Sequence, residues 1–319
     1  MSWKGRNLAV KHDRMAVAVK SHQPMRVDRY LTSALGWRSR SRVQTLIRTG
    51  RVLVNGERSK PARRVRQGDE IVVELSEGTG VPRDYAAREL EILYEDPWLV
   101  AVNKPPGMLV HPVGRHVYDT LINYLHHRYR SAPGAEDGAR DGDDVVPRLC
   151  HRIDRDTTGV LLVAKDALVH KQIMRQFEER HVDKEYICLA HGRYPVAEDV
   201  VSIPLGEGRC LESCLRHPSL KPSRTRVRVL HHLDGVSLLA CTPHTGRQNQ
   251  IRVHLAAVGH PIVGDERYGG SPAPPGYPER FLLHSRRLCF YHEPLKSRVE
   301  LIAPLPEDFR RLVVAALVG

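Results

Sequence analysis

The stretch His151-Arg152-Ile153-Asp154-Arg155-Asp156-Thr157-Thr158-Gly159-Val160-Leu161-Leu162-Val163-Ala164 decides how the rest of the chain is read. Its second half is an uninterrupted apolar run, which predicts a buried strand over 160–164. The Thr157-Thr158-Gly159 before it brings hydroxyls and a flexible backbone, the composition of a turn. A carboxylate just ahead of that turn, Asp154, is therefore anchored to a rigid element, an arrangement common at active sites. Arg152 and Arg155 flank it. Taken alone, an aspartate there is as well explained by turn capping or by pairing with an arginine. The order His-Arg-Ile-Asp, with no asparagine at the needed spacing downstream and no Asp-Phe-Gly in the chain, excludes a kinase catalytic loop. His151 and Asp154 offer one pair of metal ligands, with no cluster to complete it, so no metal is expected.

Working outward, the charge is unevenly spread. The net charge is +12, and residues 1–75 hold 17 Lys/Arg against 6 Asp/Glu, whereas the remainder holds 32 against 31. A basic module on a near-neutral body fits a phosphate-binding appendage on an enzyme. Residues 1–25 read as a basic extension. In 26–75, Val27, Tyr30, Leu31, Ala34 and Leu35 recur at helical spacing. A second helix is expected from Ser41 to Thr49, with Val43, Leu46 and Ile47 inward, Ser39 as its cap and Gly50 as its stop. The strand Val52–Val54, the turn Asn55-Gly56 and the strand Ile71–Leu75 follow. Arg38, Arg40, Arg42, Arg48 and Arg51 lie on or beside the second helix, and Arg40, Arg42, Arg48 and Arg51 are candidate RNA contacts. Residues 76–89 read as a linker.

The body, 90–319, is read as an α+β domain with more strand than helix. Strands are expected at 91–94 and 98–102, helices at 120–127 and 166–180, a mobile acidic loop at 131–146, and short strands from 185 to 255. Within the last stretch, 250–255 is read as a strand whose alternation points Arg252 and His254 to one face. The six cysteines are scattered as reduced thiols would be, and no zinc site is expected at Cys210 and Cys214. No apolar run is long enough to span a membrane. A cytoplasmic monomer is expected.

Two resemblances organise these signals. "SRSRVQTLIRTGRVLVNGE" followed by "VRQGDEI" resembles the alpha-L RNA-binding motif first described in a small-subunit ribosomal protein. "HRIDRDTTGVLLVAK" resembles the signature of the RluA-type pseudouridine synthases. The likeness to that family extends over most of 90–310, through "LVAVNKPPGMLVHP" (99–112), "DKEYICLAHG" (183–192), "GRQNQIRVHLAAVGHPIVGDERYG" (246–269) and "LLHSRRLCFYHEP" (282–294). It implies a mixed, mainly antiparallel-sheet catalytic domain and isomerisation of uridine in structured RNA, without a cofactor or nucleotide motif. It also implies site residues: Asp154 as nucleophile, Tyr186 as the active-site tyrosine, Arg252 as the active-site arginine and Leu283 as an apolar pocket wall.

The residues themselves give these roles a physical basis. A nucleophilic carboxylate must be ionised. Burial disfavours its charge, and a fixed cation restores it; arginine does so without titrating. A stacked uridine has to be flipped out at a cost of a few kcal/mol, and Arg155 is placed to fill the vacated space, with Arg152 beside it. Attack on the anomeric carbon, elimination toward a glycal and addition to the uracil ring all remain open for Asp154. The family usually has Thr-His where this chain has Gln248-Asn249. Both replacements can hydrogen-bond, so a subfamily change is expected rather than loss of activity. Large-subunit ribosomal RNA is the expected substrate. Transfer RNA, or a non-catalytic role in ribosome assembly, is the alternative.

Overall fold

The apolar run of the opening stretch is the strand Thr158–Ala164, and every residue of it is buried. The computed structural model describes residues 8–11, 14–19, 21, 23–34, 40–74, 90–112, 120–130, 145–269 and 276–318. The expected cap at Ser39, the linker 76–89 and nearly all of the 131–146 loop lie outside them. The chain divides into two units, residues 1–87 with 111–146, and residues 88–110 with 147–319.

The first unit contains β1 (Leu8–Lys11), β2 (Arg14–Ala18), β3 (Met25–Arg26), α1 (Val27–Ala34), α2 (Arg40–Arg48), β4 (Val52–Val54), β5 (Glu57–Arg58), β6 (Arg64–Val65) and β7 (Glu70–Glu74). Its sheet runs β1-β2-β7-β4-β5, and β3 pairs with β6. The apolar stripes of the two helices meet this sheet. Val27, Tyr30, Leu31, Val43 and Ile47 pack with Val52, Val54, Ile71 and Val73. The Asn55-Gly56 turn has positive φ at both residues, as a tight hairpin turn requires. Residues expected to form an extension instead continue the sheet, since β2 pairs with β7 from Arg14↔Glu74 to Ala18↔Glu70. The helix α3 (Leu121–Arg130) groups with this unit.

The second unit contains β8 (Ile92–Glu95), β9 (Leu99–Lys104), β10 (Arg148–Leu149), β11 (Thr158–Ala164), α4 (Ala167–Glu178), β12 (Asp183–His191), β13 (Glu198–Val201), α5 (Leu211–Leu215), β14 (Thr225–Leu233), β15 (Val236–Pro243), α6 (Gln250–Ala257), β16 (Leu283–His292), β17 (Ser297–Ile302) and α7 (Glu307–Val318). Its ten-stranded sheet has the order β13-β14-β15-β12-β16-β11-β9-β8, with β10 on β11 and β17 on β16. The α+β, mainly antiparallel architecture is as expected. Strand alternation sends Cys188 and Ala190 of β12 to the core beneath α6, and Ile187 and Leu189 to the core beneath α7. On β11, Val160, Leu162 and Ala164 meet Val169 and Ile173 of α4. No helix among the described residues is long and apolar enough to cross a membrane.

One expectation is overturned here. Residues 250–255 form a helix, not a strand, and the 185–255 region carries two helices among strands of up to nine residues. Gln250, Ile251, Arg252, Val253, His254 and Leu255 are all buried. A helix buried all round has no solvent face to impose a 3.6-residue pattern, so its alternating polar residues imitate a strand. Arg252 and His254, two residues apart on a helix, point to different sides. His254 hydrogen-bonds Thr225 and Ile203 in the core, 2.9 Å each.

Among the described residues, one parallel pairing joins the two halves of the large sheet, Thr158↔His284 and Gly159↔Ser285 between β11 and β16. Gly159 has φ +101, and a Cβ there would lie 2.2 Å from the Ser285 carbonyl oxygen. Only glycine permits this approach. Next to it, Thr158 Oγ1 lies 2.8 Å from His284 Nδ1, and His284 Nε2 lies 3.3 Å from the Ala303 carbonyl. A carbonyl only accepts, so Nε2 carries the proton and Nδ1 accepts from the threonine hydroxyl. Burial lowers the pKa of His284 to about 4. It also lowers that of His151, whose Nε2 accepts from the Leu162 N–H, to about 3.

Both histidines have folded-state pKa values below the unfolded value near 6.5. The stability of their neutral forms is therefore intact above about pH 6.5 and is lost as pH falls toward the folded values. For His284 alone the loss is on the order of 3 kcal/mol. The urea midpoint of unfolding is expected to drop steadily from about pH 7 to about pH 5, and a flat midpoint over that range would contradict the neutral assignment.

Candidate active site

Asp154 lies four residues before β11, at the end of the sheet where the parallel pairing begins. It is 31% exposed, so the carboxylate is held by protein on one side and open on the other. Its backbone is fixed from beneath by Lys104, the last residue of β9. The fully buried Lys104 ammonium donates to the carbonyls of Pro105 (2.8 Å), Met108 (3.0 Å) and Arg155 (2.7 Å). Three acceptors match its three N–H bonds. They tie the Lys104-Pro105-Pro106-Gly107 turn to the Asp154 loop. Burial lowers the Lys104 pKa to about 7, while the charges of Asp156 and Asp154 act in the opposite direction.

The cation expected beside Asp154 is there. Arg252 Nη1 donates to Asp154 Oδ2 at 3.0 Å. The rest of the guanidinium fork is taken by Asp265, with Nε to Oδ2 at 2.7 Å and Nη2 to Oδ1 at 2.8 Å. Asp265 is 1% exposed and Arg252 7%. The guanidinium also lies 4.0 Å from the centre of the Phe281 ring and 4.9 Å from that of Tyr268. Burial alone would make Arg252 a weaker cation, but Asp265 and then Asp154 more than offset it, and its pKa is raised. The bidentate pair is the stronger one geometrically. It aims Nη1 at Asp154, so Arg252 reaches the loop as a preorganised charge.

Tyr186 joins the same row of the sheet. Gly159 pairs with Ser285, and Ser285 pairs with Tyr186, at a bulge between Glu185 and Tyr186. A bulge re-aims a side chain locally. Burial raises the Tyr186 pKa to about 12, Ser285 opposes this by hydrogen bonding, and the Asp154 charge raises it further. The hydroxyl is thus a neutral donor at physiological pH, within the field of the carboxylate. Leu283 is buried with Cys188, Cys241, Ile251 and Leu255, and Tyr186 packs on that cluster. Arg152 and Arg155 are exposed, and Arg155 pairs with Asp156 at 3.2 Å.

In the first unit, the candidate RNA contacts are not equivalent. Asp28, fully buried in the first turn of α1, binds Arg26 and Arg40 and accepts from Gln44 at 2.8 Å. Burial opposes the Asp28 charge, but these donors hold its carboxyl well below the usual range. Arg40 is therefore partly committed to fixing α2 against α1. Arg48 is exposed and donates to Gln44 at 3.3 Å. Arg51 directly precedes β4, and Arg42 lies on α2.

Comparison with known proteins fits this geometry. Residues 98–257 match the RNA pseudouridylate synthase family and residues 25–71 the S4 domain. The chain is 32% identical over 303 residues to an uncharacterized RNA pseudouridine synthase, YlyB, of Bacillus subtilis, covering 93% of this chain and 95% of that protein. It is 33% identical over 304 residues to ribosomal large subunit pseudouridine synthase D of Escherichia coli K12, covering 90% and 89%. The chain belongs to the RNA pseudouridylate synthase family. Two solved human members of similar fold are RNA pseudouridylate synthase domain containing 4 and domain containing 1. The first is 25% identical with TM-score 0.58, covering 71% of this chain and 93% of that one. The second is 27% identical with TM-score 0.55, covering 75% and 98%. The synthase is an isomerase with an N-terminal S4 domain, as the two resemblances implied. Among its described residues, no group of three or more His, Cys, Asp or Glu is placed to hold a metal ion, and all six cysteines are free.

Lys104 and Asp265 were not singled out by sequence reasoning. Lys104 follows the apolar run Leu99–Val102 and precedes two prolines, which reads as an ordinary strand end. Asp265 follows Pro-Ile-Val-Gly and reads as an ordinary turn. For Lys104, the available signal was a cation closing an otherwise buried strand.

Asp265→Asn keeps the shape of the pair and removes its charge. Leaving a buried cation half-paired costs about 3 kcal/mol, and freeing Arg252 lowers the turnover rate by about tenfold or more. Urea unfolding and single-turnover kinetics measure the two effects, and a variant with wild-type rate and midpoint would refute the role given to Asp265.

Proposed function

We propose that this synthase isomerises uridines of large-subunit ribosomal RNA, with Asp154 as its nucleophile. One observation carries the assignment of Asp154: a buried arginine, itself fixed by a second carboxylate, donates to it at 3.0 Å while it stays open to solvent. Such an arrangement sets a fixed positive charge on one oxygen of the carboxylate and leaves the carboxylate open to a base delivered from outside. The reaction breaks the bond from the ribose to a ring nitrogen, rotates the base, and forms a bond to a ring carbon. That carbon must then lose its proton. Tyr186, a neutral hydroxyl within the Asp154 field, is suited to stack on the uracil and to relay that proton. Arg155, exposed and anchored through its own carbonyl by Lys104, is suited to occupy the stack that the flipped uridine leaves. Arg152 would contact the neighbouring phosphates.

The ribosomal substrate is supported by the names of relatives over nearly their full length, as in Escherichia coli and Salmonella typhimurium. The basic S4-containing unit supports it further. In this reading Arg48 and Arg51 contact phosphate directly, Arg42 lies on the same helix, and Arg40 divides its charge between RNA and Asp28. The protein works as a monomer in the cytoplasm.

Deletion of the gene is expected to remove pseudouridines from large-subunit ribosomal RNA, as read by chemical mapping of cellular RNA. Wild type restores them and Asp154→Ala does not. If every site returns with Asp154→Ala, the nucleophile is elsewhere; if the lost sites lie in transfer RNA, the substrate assignment is wrong.

The basic unit has its own test. Removing residues 1–75 is expected to weaken RNA binding and flatten the slope of log affinity against log salt, because fewer counterions are released. An unchanged slope would exclude these arginines from phosphate contact.

A further inference from the structure

Asn249 stands at the start of α6 in left-handed backbone, φ +55 and ψ +21. Its carbonyl accepts the first helical bond, from Val253 N–H at 3.0 Å. Its side-chain amide lies between Asp154 and the Tyr268 hydroxyl. With the amide oxygen on that hydroxyl (2.8 Å), the nitrogen is 2.9 Å from Asp154 Oδ2 and 3.0 Å from Oδ1. The reverse orientation would turn an oxygen toward two carboxylate oxygens and gain only a 3.4 Å bond from Arg252. A hydroxyl can donate or accept, so Tyr268 tolerates either orientation. The carboxylate accepts only, and it decides the assignment.

We propose that Asn249 is a positioning residue that sets the plane of the Asp154 carboxylate by donating across both of its oxygens. Arg252 alone holds one oxygen and leaves the carboxylate free to turn about its Cβ–Cγ bond. An N–H donor spanning both oxygens removes that freedom. It does so without adding charge, which matters because Asp265, Arg252 and Asp154 already sum to one negative charge. Two demands meet at position 249. The backbone requires a residue that tolerates positive φ, and the carboxylate requires a short donor. Asparagine satisfies both, since it visits the left-handed region more readily than most side chains. Tyr268 completes the arrangement by fixing which end of the amide faces the loop. Asp265 links it back to Arg252, since the Asp265 oxygen that binds Arg252 Nη2 also accepts from the Tyr268 N–H at 3.3 Å. Gln248-Asn249, the pair at which the sequence departs from the usual family string, thus includes a direct contact of the proposed nucleophile.

This inference rests on Asp154 being the reactive carboxylate, and its test separates the two. Asn249→Gly keeps the backbone conformation and deletes the amide. Asn249→Asp keeps the shape and replaces the donor with a second acceptor. The groups that face Asp154 are Arg252 from α6, Lys104 from β9 and Tyr186 from β12, with Asp156 two residues along and Asp265 behind Arg252. None of them changes in either variant. Turnover is followed by tritium release from 5-tritiated uridine in the RNA that mapping identifies. For Asn249→Gly, kcat is expected to fall about tenfold with KM and melting temperature nearly unchanged. For Asn249→Asp, two adjacent carboxylates resist ionising together, so the acid limb of the pH–rate profile is expected to move up by about one unit or more. Wild-type kcat in Asn249→Gly, a loss confined to KM, or an unmoved acid limb in Asn249→Asp overturns the proposal. An Asp154→Ala enzyme that still turns over removes the reading on which it rests. An inactive Asp154→Ala beside an unimpaired Asn249→Gly overturns the Asn249 role alone.

Discussion

The close approach of Gly159 to the Ser285 carbonyl is the constraint around which the catalytic unit is built. Any side chain at 159 would collide with backbone at 2.2 Å, and backbone cannot move aside as a flexible side chain can. Because the approach is allowed, β11 and β16 pair in parallel and one continuous sheet forms from two antiparallel halves. Both strands then start at the same end. The loop before β11 carries Asp154, and the start of β16 adjoins Tyr186 through Ser285. The site exists where it does because this junction places three chain segments, distant in sequence, in one row.

Charge is distributed over that junction with little dependence on solvent. Arg252 is enclosed by two carboxylates and two aromatic rings, and Lys104 by three carbonyls. Lys104 has an acceptor for each of its donors, and three N–H groups of Arg252 are held by carboxylates, so both charges are fixed mainly by protein when RNA displaces water from the site. Preorganised charge of this kind acts more strongly as the surroundings become drier. The buried histidines His151 and His284 join β11 to its surroundings through hydrogen bonds and, being neutral, add no further charge to the sheet.

Much of this was legible in the sequence where local pattern and packing agree. Val160–Ala164 had to be a buried strand, the helices of 27–48 carry stripes that match their packing, and the charge imbalance marked the first unit as basic. Asp154, Tyr186 and Arg252 could be named because ordered motifs tied them together. What stayed hidden depended on contacts with no local signature. Gln250–Leu255 alternates like a strand, because its polar residues meet buried partners rather than water. Asp265 resembles any turn aspartate until Arg252 is folded against it. Lys104 gains its meaning only when the Arg155 carbonyl, 51 residues away, arrives at its ammonium. Asn249 departed from a familiar string, and its donor role required the carboxylate to be in place.

The pairing of β2 with β7 has a practical consequence. The S4 match begins at residue 25, so a truncation there would look harmless on paper. It would delete both strands of the N-terminal hairpin and strip one side of β7, leaving the backbone groups of β7 that face β2 without partners while those facing β4 stay paired. Exposed edges of that kind recruit strands from other molecules. The hairpin of β1 and β2 therefore covers an edge of β7 that would otherwise be open to such pairing.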